Sequence, residues 1–118
     1  MKTAALISIV FLLSGCVVAD MDSTNYEYVP YAQTYQKADR IGHTDRQKRK
    51  EDMYSCGVDR NINLDDGKWN GSSAKPGETL QQVAARDDNL KRCMQSKGYV
   101  ALGYDQCGPL KAPTGECN

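Results

Sequence analysis

Apolar and polar positions alternate along this chain in a few distinct stretches. Ala4 to Leu13 is an apolar run broken only by Ser8. From Val17 to about Gly42 the chain is polar and aperiodic, with Tyr26, Tyr28, Tyr31 and Tyr35 around Pro30, and it reads as a tether. Thr44, with Gln47 three residues on, has the form of a capping box that satisfies the amides left free by a first helical turn. A helix is therefore predicted over about 45–56. Its middle, Arg46 to Asp52, is nearly all charged, and only Met53 and Cys56, spaced i to i+3, make an inward face. The basic part is read as a solvated helix face, since Glu51 and Asp52 adjoin it and no aromatic residues interleave. Gly57 ends it.

Residues 58–77 carry the turn signals Asp66-Gly67, Asn70-Gly71, Ser72-Ser73 and Pro76-Gly77, so a long loop is predicted, with Trp69 folding back to cover the core. Asp65-Asp66-Gly67 lacks the further acidic ligands of a calcium loop and reads as a turn. Thr79 with Gln82 repeats the capping box, Glu78 sits at the positive end, and Lys91, Arg92 and Lys97 sit near the negative end. Leu80, Val83, Ala84, Leu90, Cys93 and Met94 fall mainly on one side of the resulting helix, over about 80–97, with Asp87 lying among them towards the edge. Gly98 closes it. Tyr99 to Tyr104 is rich in strand formers, which predicts a short extended segment over about 99–104. The fold expected is mainly α: a small disulfide-stapled domain of two helices, one extended segment and long loops.

Charge changes this picture little. The 118 residues hold 15 basic and 15 acidic side chains, and losing Lys2 with a leader leaves about one net negative charge, which implies no polyanionic partner and no nucleic acid. The opening stretch changes it more. Lys2, the short apolar run, and small Ser14 and Gly15 have the architecture of a secretory signal, too short to span a bilayer as a stable helix. Leu13-Ser14-Gly15-Cys16 then resembles the lipobox of bacterial lipoproteins. That resemblance implies a diacylglyceryl group on the Cys16 thiol, cleavage before Cys16, and acylation of the new amino terminus with fatty acids such as palmitate. Two or three acyl chains make a stable anchor where one holds marginally. Val17 stands where aspartate would signal inner-membrane retention, so the resemblance implies the outer membrane. The division expected is a signal peptide over 1–15, a lipidated N-terminus and flexible tether over 16–42, and a folded domain over 43–118.

Cysteine arithmetic points the same way. Five cysteines is an odd count for an exported chain, and setting Cys16 aside leaves Cys56, Cys93, Cys107 and Cys117 as an even set for two disulfides. Four cysteines allow three connectivities; the pairing adopted is Cys56 with Cys93, helix to helix, and Cys107 with Cys117 around the Pro109 and Pro113 turns. Aligned on their cysteines, Arg49-x-Glu51-Asp52-Met53-x-x-Cys56 and Arg86-x-Asp88-Asn89-Leu90-x-x-Cys93 match like for like at five positions, a pattern that a decayed duplication or chance would produce. Cys93-Met94-x-x-Lys97-Gly98-Tyr99, with an earlier helical cysteine preceded by an acidic residue, also resembles a broad group of small proteobacterial envelope proteins. The chain lacks the glycine-rich apolar segment that several of those place between the two parts. The pattern implies no activity: cysteine staples, methionine fills a gap, glycine turns left-handed, and the aromatic residue packs back.

Catalysis is the class the residues support least. His43 is the single histidine and lies beside a helix cap in a charged stretch. Paired cysteines are neither nucleophiles nor zinc ligands, and no Cys-x-x-Cys is present. Asp65 with Asp66, and Asp87 with Asp88, are adjacent carboxylates whose side chains point apart. No catalytic residue, metal ligand or cofactor is therefore expected. The expectation is a membrane-anchored, non-catalytic structural or interaction protein of the cell envelope, whose partners are the membrane and an envelope protein. The second reading is an inhibitor or immunity lipoprotein acting against a toxin or cell-wall hydrolase. Nothing in the sequence addresses oligomeric state.

Overall fold

The structure is a computed structural model that describes residues 27–118. The expected signal peptide, Cys16 and the first part of the expected tether lie outside the described residues. A 3-10 turn, Tyr31–Thr34, leads into strand β1, Tyr35–Lys37. Helix α1, Arg46–Ser55, is followed by the long loop and by helix α2, Leu80–Ser96. Strand β2, Tyr99–Ala101, and a four-residue helix α3, Tyr104–Cys107, complete the order. Among the described residues no helix is long and apolar enough to cross a membrane.

The local chemistry explains most boundaries. The Thr79 side chain accepts from the Gln82 amide while the Gln82 side chain accepts from the Thr79 amide, so the capping box of α2 is complete. Gly57 and Gly98 stand at φ +107 and +92 after α1 and α2, the left-handed turn that glycine adopts at no steric cost. At α1 the cap is Asp45, whose carboxylate accepts from the Lys48 amide at 3.0 Å, and not Thr44. The Thr44 hydroxyl is buried instead, donating to Gln36 Oε1 at 2.6 Å and accepting from the Lys37 amide at 3.0 Å. A hydroxyl one residue before the cap is drawn inward because the buried Gln36 side chain needs a donor there.

The mainly α expectation is overturned. β1 and β2 form a two-stranded antiparallel sheet with Tyr35 opposite Ala101, Gln36 opposite Val100 and Lys37 opposite Tyr99, so the fold is mixed. The extended segment expected over 99–104 stops at Ala101, and Tyr104 already belongs to α3. The boundary at residue 43 is corrected as well: of the expected tether, residues 27–42 contribute buried Val29, Ala32, Thr34, Tyr35 and Gln36. An isolated two-stranded sheet is marginal in water, and this one persists because Tyr35 and Tyr99, 1% and 2% exposed, enter one core with Ala32, Met53, Val58, Leu64, Leu90 and Met94. Buried Arg49 fastens β1 to α1 through Nη1, which donates to the Tyr35 carbonyl at 3.1 Å.

Two disulfides close the fold. Cys56 at the end of α1 joins Cys93 on α2 with Cα atoms 5.7 Å apart, and Cys107 joins Cys117 at 5.2 Å. The second lies in a small separate cluster with Val29 and, at its edge, Leu102. Asn118 is drawn into the fold: its side chain exchanges two hydrogen bonds with the Thr44 backbone, and its carbonyl accepts from Gln36 Nε2.

Candidate functional site

A groove of about 250 Å³ lies between the end of α1, the long loop and the face of α2. Its apolar floor is Val58, Ile62, Trp69 and Leu90, and Lys75, Arg86, Asp87 and Asn89 stand around the rim. Leu90 is there because the periodic stripe of α2 turns it inward; Arg86 and Asp87, one turn earlier, flank that stripe. Trp69 packs against the core with its ring edge-on to Tyr31, 5.6 Å between centroids, and Tyr31 stands edge-on to Tyr35 at 5.7 Å.

Internal partners neutralise Arg86 and Asp87, while Asp59 and Lys75 complete the charged lining. Arg86 forms a bidentate pair with Glu78, Nε to Oε2 at 3.1 Å and Nη2 to Oε1 at 2.8 Å, and Nη2 also donates to the Ser73 carbonyl at 2.6 Å. One guanidinium thus ties the loop to α2, and it holds the Glu78 carboxyl below its usual pKa, helped by the Lys75 amide. Asp87 accepts from the Tyr31 hydroxyl at 2.7 Å and pairs with Lys91 at 3.2 Å. Burial first, then the hydrogen bonds to Tyr35 and Asp87, push the Tyr31 hydroxyl far above its ordinary pKa. Burial raises Tyr35 to about 12. Gly71 lets the loop come this close: a Cβ there would lie 2.2 Å from Asp87 Oδ1 and 2.8 Å from the Tyr31 hydroxyl. What the groove offers a ligand is its apolar floor and the Asn89 amide, which has no hydrogen-bond partner among the described residues.

A second, polar depression of about 260 Å³ is edged by Lys37, Asp39, Arg40, Asp45 and Lys48 over Tyr99. Both of its lysines are engaged below: Lys37 Nζ donates to the Lys97 carbonyl and lies 4.7 Å from the Tyr99 ring centroid, and Lys48 pairs with Asp52 at 3.2 Å. Beneath it the Tyr99 hydroxyl donates to buried Asp52 at 2.7 Å.

The residues weighed for chemistry are dispersed. His43 is exposed, and its amide closes a turn on the Arg40 carbonyl. Asp65 pairs with Lys50 at 2.6 Å and Asp66 accepts from the Lys68 amide, while Asp88 faces solvent away from Asp87. Among the described residues no group of three histidine, cysteine or acidic side chains is placed to hold a metal ion. Tyr31 and Gly71 were not legible in the sequence as the neighbours of Asp87. Asp87 left a trace, being the polar residue among the apolar positions of α2. No protein-family model, no curated protein and no solved structure matches this chain.

Proposed function

We propose that this chain is the precursor of a bacterial lipoprotein, anchored through lipid on Cys16 to the outer membrane, whose folded domain acts by binding and not by catalysis. The observation that carries this reading is the pairing of the other four cysteines. Paired cysteines fit an oxidising compartment, and Cys16, left over, stands directly after a secretory apolar run. The groove beside Trp69, with Arg86 and Asp87 paired internally and its floor apolar, supports docking of an apolar side chain from an envelope protein.

The test is Cys16→Ser in the full chain. It is expected to accumulate as an uncleaved precursor that takes up no palmitate label; normal processing of this variant would refute the proposal. Recovery of bound proteins from an envelope extract, with cell-wall hydrolase assays alongside, separates general interaction from the inhibitor or immunity role.

A further inference from the structure

The described chain begins at one corner of the domain and is fastened there at once. The Glu27 carbonyl accepts from the Leu110 amide at 2.7 Å, Tyr28 bridges Pro109, and the Tyr28 ring lies 5.0 Å from that of Tyr104. The corner is stiff, because Val29 and Leu102 pack beneath it on the Cys107–Cys117 disulfide and the Thr114 hydroxyl caps the Gln106 carbonyl. Yet it leaves large apolar groups in water: Tyr28 is 49% exposed and Leu110 53%. We propose that this corner is the membrane-facing end of the domain, with Tyr28, Tyr104 and Leu110 resting in the headgroup region of the bilayer that holds the Cys16 lipid.

The inference rests on the anchor reading above, and chain length gives it force. Between Cys16 and Glu27 the sequence allows a reach of at most about 35 Å. The lipid therefore holds this corner at a high effective concentration against the membrane, where contacts too weak to bind from solution suffice. Tyrosine suits that depth, with an apolar ring and a hydroxyl that stays wet. Glu27, Asp105 and Lys111 lie at the corner with a negative balance, so apolar insertion and not charge attraction drives the contact. It is expected to persist on uncharged phosphatidylcholine and in high salt.

The test uses the processed, lipidated protein in phosphatidylcholine vesicles containing a brominated phosphatidylcholine. Leu110→Trp in a Trp69→Phe background is expected to lose most of its emission to the bromine. Ser55→Trp in the same background is expected to keep it, since Ser55 ends α1 opposite the Thr44–Asn118 contact. Equal quenching of both, or of neither, in protein that floats with the vesicles overturns this inference and leaves the anchor reading intact. Protein that does not float overturns the anchor reading and this inference with it. Hydrogen exchange of the wild-type chain gives a second readout if the tryptophan variants misfold: amides over 104–112 are expected to slow on vesicles relative to detergent, and no slowing overturns the inference. Self-association that slows the same amides in detergent assigns the corner to a second copy instead and also overturns it.

Discussion

Asp52 shows how a charged residue is kept inside this fold. It is 5% exposed, and burial alone would raise its pKa. The Tyr99 hydroxyl at 2.7 Å, then Lys48 at 3.2 Å and Lys97 at 3.9 Å, outweigh that and hold it below the usual carboxylate value. A carboxyl with a depressed folded pKa stabilises fully above its unfolded pKa of about 4 and loses that contribution as pH falls through the folded value. The melting temperature is therefore expected to drop on acidification below about pH 4. Asp52→Asn is expected to melt lower at neutral pH and to show a shallower acid limb, the remainder coming from carboxylates such as Glu78, which is lowered too. An acid limb as steep in Asp52→Asn as in the parent would refute this account. The same pair explains the spacing noted in the sequence: the acidic residue before the first cysteine and the aromatic residue after Lys97-Gly98 meet across the core.

At the scale of elements, α2 and its cap were fully legible, because capping box, stripe and terminal glycine all lie within one local stretch. β1 was not. Three residues carry no usable periodicity, and Tyr35–Lys37 is a strand only because Tyr99–Ala101 lies beside it. Trp69 was read correctly as a cover for the core, but the groove was hidden, since its walls come from α1, the loop and α2 and meet only in space. The loop's seat on α2 depends on Gly71, so Gly71→Ala is expected to cost about 1–3 kcal/mol through overpacking against Asp87 and Tyr31. Thermal unfolding measures the loss, and a red shift of Trp69 emission reports the displaced loop. Gly67 has a positive φ of 73 but open space around it, so Gly67→Ala is expected to cost only backbone strain and leave Trp69 emission unchanged.

For the whole molecule, the described domain is small and its core modest, so the covalent links weigh heavily. Chain-entropy estimates give roughly 4 kcal/mol for the Cys56–Cys93 loop and roughly 3 kcal/mol for the Cys107–Cys117 loop. Together these rival the whole stability of a domain this size. Reduction with dithiothreitol is expected to unfold it at ambient temperature, and an unchanged melting curve would contradict this. Cys56→Ser with Cys93→Ser is expected to lower the melting temperature more than the Cys107 and Cys117 double variant.

The pairing of β1 with β2 has a consequence for how the molecule comes into being. Tyr35 and Gln36, near the start of the described chain, are completed by Ala101, Val100 and Asn118 at its far end. A polypeptide delivered amino terminus first has no partner for its first strand until nearly all of it has arrived. Bringing together segments this far apart in sequence carries a large loop-closure cost. The sheet is therefore expected to close after the helices, and pulsed hydrogen exchange during refolding checks this by the late protection of residues 35–37 and 99–101.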